Sequence, residues 1–121
     1  DPKRRHVLLL GCAESYKLQK TIAKHPILMP IFQDIIKESN SGLIILFGSY
    51  AKGTPKEDSD IDIYVETRSR KMKEELEGIN SKISVKIGDF DTNSLLIKEI
   101  MKSHILLKGV EKFYEKTKFF E

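Results

Sequence analysis

The chain has 121 residues, 40% of them hydrophobic and 32% charged, and a net charge of +3, which suits one globular domain and is too short for two. No apolar run nears the ~20 residues needed to cross a bilayer, and the single cysteine, Cys12, cannot close an internal disulfide. No Cys/His spacing suggests zinc, and Val7 to Gly11 is too short, with no small-residue cleavage site after it, for a secretory signal. The chain therefore reads as cytoplasmic, with no membrane association.

In chain order, residues 1–12 leave two readings open: His6 to Leu10 is a short strand, or the stretch is the frayed end of a missing module, since the sequence opens on Asp1 and not Met. Glu14 to Lys24 has helical composition, with Leu18 and Ile22 on one side and Tyr16 near them. Pro26 and Pro30 interrupt it, and Pro30 suits the first turn of a second helix over Pro30 to Glu38. That helix puts Ile31 and Ile35 on an apolar face flanked by Phe32 and Ile36, and Asn40-Ser41-Gly42 ends it. Residues 1–40 thus read as an N-terminal helical segment, the remnant of an upstream module, and 41–121 as the core.

Leu43 to Phe47 is a continuous apolar run, the pattern of a strand covered on both faces. Gly48-Ser49 follows at once, then Tyr50-Ala51-Lys52 and a turn with Gly53, Thr54 and Pro55. Asp60 to Val65 alternates, with Asp60, Asp62 and Tyr64 on one face and Ile61, Ile63 and Val65 on the other. Lys71 to Leu76 is predicted as a helix ending near Gly78. Ile83, Val85 and Ile87 alternate with Ser84 and Lys86 as a third half-buried strand. Asp91-Thr92-Asn93-Ser94 offers N-caps for a helix from Leu95 to Ser103. An apolar segment then runs from Ile105 to Gly109, followed by a short helix containing Phe113. Strands interspersed with helices indicate an α/β or α+β fold, a small sheet with helices packed against it.

A net charge of +3 is too mild to argue nucleic-acid binding for this domain alone, but its distribution is uneven. Basic residues gather at Lys3, Arg4 and Arg5, at Arg68, Arg70, Lys71 and Lys73, and at Lys112, Lys116 and Lys118, while Glu57, Asp58, Asp60 and Asp62 crowd into the middle. That acidic knot is a solvated loop or a metal site awaiting an anionic ligand, and charge alone favours the loop. Spacing favours the second. Gly48 lets the backbone turn sharply and approach a ligand, and Ser49 stands where its amide and hydroxyl can meet a phosphate. A spacing of two sets Asp60 and Asp62 side by side, and Mg²⁺ takes a few carboxylates together with phosphate oxygens and water. Lys52 either reaches triphosphate oxygens or is a solvated loop lysine.

An apolar strand, Gly48-Ser49, a loop of about ten residues and Asp60-Ile61-Asp62 between apolar residues resemble the nucleotidyltransferase superfamily that includes DNA polymerase beta. The sequence is similar in particular to its small stand-alone members, the minimal nucleotidyltransferases, and Ala51, Gly53 and Ser59 match the common elaboration of the motif. The resemblance runs from Leu43 to Val65 and weakens to a pattern of elements through Gly109. It implies the nucleotidyltransferase fold with a mixed sheet, Mg²⁺ held by Asp60 and Asp62, and ATP or another nucleoside triphosphate held at Gly48 and Ser49. It further implies transfer of a nucleoside monophosphate to an acceptor. For the small members it implies a HEPN-type toxin as protein partner, the enzyme acting as antitoxin in a hetero- or homo-oligomer.

One feature departs from the family, which uses a third carboxylate on an adjacent strand. The strand from Ile83 to Ile87 offers Ser84 and Lys86 there; a bulge at Gly88 brings in Asp89, or else Asp89 and Asp91 cap a turn and the next helix. Without a third carboxylate, the rival reading is a nucleotide-binding antitoxin or regulatory subunit that has lost transfer, and the lowest-ranked reading is a DNA-binding regulator. Ser59 reads as a residue that orders its turn, and Tyr64, on the aspartate face, as one packed under a helix ahead of one stacked on a base. His6, His25 and His104 read as surface or core residues, and Cys12 as a small apolar one.

Overall fold

The computed structural model describes residues 2–117, with the side chains of Pro2, Lys3, His6 and Val7 excepted; the expectations for Lys3, His6 and Lys118 lie outside the described residues. The elements are α1 (Pro2–Lys24), α2 (Leu28–Glu38), β1 (Ile44–Phe47), α3 (Gly48–Lys52), β2 (Ile61–Glu66), α4 (Arg70–Glu77), β3 (Ile83–Gly88), α5 (Leu95–Lys102), β4 (Ile105–Lys108) and α6 (Val110–Lys116). The four strands form one sheet in the order β3-β2-β1-β4. β1 runs antiparallel to β2 and β4, and β2 parallel to β3, so the sheet is mixed. The fold is α+β.

Period-two side-chain alternation splits the core into two layers. On one face Ile44, Leu46, Ile61, Ile63, Val65, Ile83 and Val85 meet Leu28, Ile31, Phe32 and Ile35 of α2 and Leu76 of α4. On the other, Ile45, Tyr64 and Leu106 meet Ile97 and Ile100 of α5 and Phe113 and Tyr114 of α6. The uninterrupted apolar run at Leu43–Leu46 is fully buried because its strand is central and both faces are covered. Burying each such side chain contributes about 1.5–3 kcal/mol.

Two short helices begin as local chemistry dictates: the Ser69 hydroxyl accepts from Met72 N at 3.0 Å and the Ser94 hydroxyl from Ile97 N at 3.1 Å. α2 starts two residues before Pro30, whose missing N–H is harmless in a first turn.

The N-terminal stretch differs from expectation. Residues 2–12 contribute no strand; they belong to α1, which is continuous to Lys24. The apolar run that suggested a strand is not buried as one, since Leu8 and Leu9 are 67% and 71% exposed. A helix satisfies its backbone groups internally and needs no sheet edge. Further along, Leu10 packs on one core layer and Leu18 and Ile22 on the other. Cys12 lies exposed on α1 rather than in the core.

Candidate active site

β1 ends at Phe47, and Gly48 turns the chain with a φ of 73°, a left-handed conformation that disfavours any side chain. α3 follows for five residues and closes at Gly53, whose φ is 78° and whose N–H donates to Tyr50 O at 3.2 Å. Phe47 pairs with Asp62 across the antiparallel ladder, which brings the bend directly over the second strand. A Cβ added at Gly48 would collide with the Asp62 carboxylate, meeting its Cγ at 3.0 Å. The Gly48 backbone and the Asp62 carboxylate are therefore in contact, with no side chain between them.

Asp60 precedes β2 and is exposed, whereas Asp62, inside β2, is half-buried. Burial raises the Asp62 carboxyl above the ordinary carboxylate value, the Asp60 charge raises it further, and Lys86 opposes both. Two carboxylates with no ion pair among the described residues, one of them partly desolvated and only opposed at a distance by Lys86, fit a divalent cation that relieves their repulsion. Among the described residues no group of three or more His, Cys, Asp or Glu could hold a metal alone. Two carboxylates completed by a ligand's oxygens suit Mg²⁺, which keeps several waters and needs no all-protein cage.

β3 supplies the neighbouring wall. In its parallel register with β2, Ser84 lies opposite Asp62 and Lys86 opposite Tyr64, so a hydroxyl and an ammonium flank the acids where a third carboxylate was sought. Asp89 is elsewhere. Its pairing partner strand stays in register through Glu66 and Gly88, with no bulge, and Thr67 bridges Gly88. Asp89 follows the far end of β3, about 16 Å along the strand from Ser84 at ~3.3 Å per residue. There Arg68 donates to both of its oxygens at 2.9 Å, and that guanidinium holds the Asp89 carboxyl below the ordinary range. Asp91 accepts from Asn93 N at 2.9 Å, an Asx turn ahead of α5.

Lys52, at the end of α3, reaches Glu99 of α5 at 3.3 Å, both exposed. The Ser59 hydroxyl accepts from Lys56 N at 2.7 Å and orders the loop before Asp60. Tyr64 shares the aspartate face by alternation yet is buried; its hydroxyl accepts from Phe90 N at 2.8 Å and its ring meets Phe90 edge-on, so it packs rather than offering a stacking surface. His25 lies edge-on to Tyr50 at 5.2 Å.

Two polar clusters escaped sequence reasoning. Glu14, only 4% exposed, accepts from Tyr114 OH at 3.1 Å, pairs with Lys17 at 2.8 Å and faces His104 Nε2 at 3.5 Å, tying α1 to the C-terminal half of the chain. Glu66 is clamped by Lys112 and Lys116 of α6 at 2.7 and 2.8 Å. Apart from Lys17, three residues from Glu14 on the same helix, these partners are too distant in sequence for any local pattern to announce them.

The family described as "Polymerase beta, Nucleotidyltransferase" matches residues 31–112, a span that contains the bend, both aspartates and all four strands. Among solved structures, one described as "Crystal structure of the toxin-antitoxin with AMP-PNP" superposes with a TM-score of 0.50 at 27% identity, covering 77% of this chain and 82% of that one. No curated protein matches. Among the described residues no helix is long and apolar enough to cross a membrane.

Proposed function

The chain belongs to the polymerase beta nucleotidyltransferase family, and from that premise we propose that it transfers a nucleoside monophosphate, AMP from ATP in the first instance, to an acceptor hydroxyl. The observation that carries this reading is the contact between the Gly48 backbone and the Asp62 carboxylate. It sets a side-chain-free bend against a cation-binding group, the juxtaposition that a metal-bridged triphosphate needs. In the proposed complex Gly48 leaves room for phosphate oxygens and the Ser49 hydroxyl and amide donate to them. Asp60 and Asp62 hold Mg²⁺, which when bound supplies neutralisation of the charge that develops on the phosphate oxygens. Lys52 swings from Glu99 to the triphosphate at little cost, because that exposed pair contributes at most ~1 kcal/mol. The acceptor oxygen bonds to the α-phosphorus as the bond from that phosphorus to the oxygen bridging to the β-phosphorus breaks; pyrophosphate leaves with that oxygen, and the hydroxyl proton passes to solvent.

For the acceptor we propose a protein partner, a HEPN-type toxin for which this chain is the cytoplasmic antitoxin. The support is the similar solved structure, which is described as a toxin–antitoxin with the ATP analogue AMP-PNP. The exposed Asp60 and the open loop before it leave one side of the cleft for such a partner to complete.

A second reading has its own observation. Ser84 and Lys86 occupy the β3 positions beside Asp62 and Tyr64, and Asp89 is held by Arg68, so proton removal from the acceptor lacks an obvious carboxylate. A nucleotide-binding antitoxin without transfer follows from that. Incubating the protein with labelled ATP, Mg²⁺ and candidate acceptors separates the two. Label on an acceptor with pyrophosphate release supports transfer; nucleotide binding without either supports the second reading.

A further inference from the structure

We infer that the groove between α1 and α3 binds a polyphosphate anion without metal, through side chains other than the aspartate pair. The groove has a volume of about 380 Å³ and is lined by Lys17, Lys20, Lys24, His25, Tyr50 and Lys52, among others. Residues 17, 20 and 24 recur at helical spacing, so α1 turns three ammonium groups to one side, and Lys52 faces them from α3. No carboxylate lines it.

Within the groove Lys52 is paired with Glu99 of α5. Lys17 is likewise held by Glu14 and the His104 carbonyl. Lys20 and Lys24 have no acid within ion-pair distance among the described residues. Like charges gathered in a concavity repel one another and focus a positive potential, so the groove is poised for an anion. Its volume falls in the ~300–1,000 Å³ range of small-molecule sites, which favours a compact ligand over a protein face. Several positive charges in that space call for several negative ones, and phosphoryl chains concentrate charge most densely. Gly53, at the groove, stands five residues past Gly48, about 7–8 Å away at ~1.5 Å per residue. The phosphates therefore come from either of two sources, the tail of a nucleotide seated at Asp62 or a free polyphosphate.

Titration calorimetry with inorganic tripolyphosphate in EDTA tests the site without relying on the proposed transfer. Wild-type protein and Asp62→Asn bind with the same affinity, Lys20→Ala/Lys24→Ala binds at least tenfold more weakly, and Lys20→Arg/Lys24→Arg retains binding. An Arg70→Ala/Lys71→Ala control, with the same charge removed from α4, leaves it unchanged. Competition by Mg²⁺-ATP identifies the nucleotide tail as the source, and simultaneous binding identifies a free polyphosphate. No binding by the wild type, or an equal loss in the α1 and α4 double variants, overturns the inference while leaving the Asp60–Asp62 reading intact.

Discussion

The α-carbon of Gly48 rests against the Asp62 carboxylate so closely that a methyl group at position 48 would overlap Oδ2. Gly48→Ala must therefore displace Asp62 and also place a side chain at a φ of 73°. Left-handed strain of roughly 1–2 kcal/mol adds to the overlap, so a destabilisation of about 2–3 kcal/mol is expected. Thermal unfolding reads that loss, and Mg²⁺-ATP binding should fall in the same variant.

Asp62→Asn should have the opposite effect on the metal-free protein. Its folded-state pKa is raised, first by burial and then by Asp60, so the ionised form is disfavoured in the fold. The sign follows: below the unfolded value of 3.8 wild type and variant have similar stability, and as pH rises through the folded value the wild type loses ground. Melting temperatures in EDTA at pH 3.5 and 7 check this, with the variant expected to lead only at the higher pH.

Asp89→Ala should leave Mg²⁺-ATP binding and any transfer within about twofold, because removing an exposed ion pair costs little and this one lies at the other end of β3. Loss of activity in that variant, with the fold intact by circular dichroism, would place Asp89 in the chemistry after all.

Ser84→Asp tests the departure from the family directly. Ser84 is the β3 partner of Asp62, so an aspartate there adds a third carboxylate to the pair. Mg²⁺ affinity should rise about tenfold, a gain of roughly 1.4 kcal/mol, and transfer should rise with it. An unchanged affinity would mean that the Ser84 side chain does not reach the metal.

Glu66 carries a different pH dependence. Burial alone would raise its carboxyl, but the Lys112 and Lys116 ammoniums outweigh it and hold it below 4.5. The stability that the clamp contributes is present above that value and lost as pH falls through the folded one. Glu66→Gln should melt lower than wild type at pH 7, with the gap closing below pH 4.

The motif was legible in the sequence because its parts are local. The spacing of two sets Asp60 just before β2 and Asp62 within it, and a left-handed bend needs a glycine where Gly48 stands. The central position of β1 was legible too, since only a strand covered on both faces tolerates Leu43 to Leu46 without a polar break. Residues whose role depends on distant partners were not. Asp89 depended on whether β3 bulges and on Arg68 reaching across from the end of β2. The stretch from His6 to Leu10 stayed open because a short apolar run does not by itself fix an element, and what docks α1, Glu14 against His104 and Tyr114, comes from the other end of the chain.

The central claim is that one cleft joins the glycine-serine bend to a metal-holding aspartate pair. Titration of ATP into wild-type and Asp62→Asn protein, each with Mg²⁺ and with EDTA, tests it most directly. Wild-type affinity with Mg²⁺ should exceed that of the other three combinations at least tenfold, since metal and carboxylate act through one another. ATP binding of equal strength in all four would contradict the account.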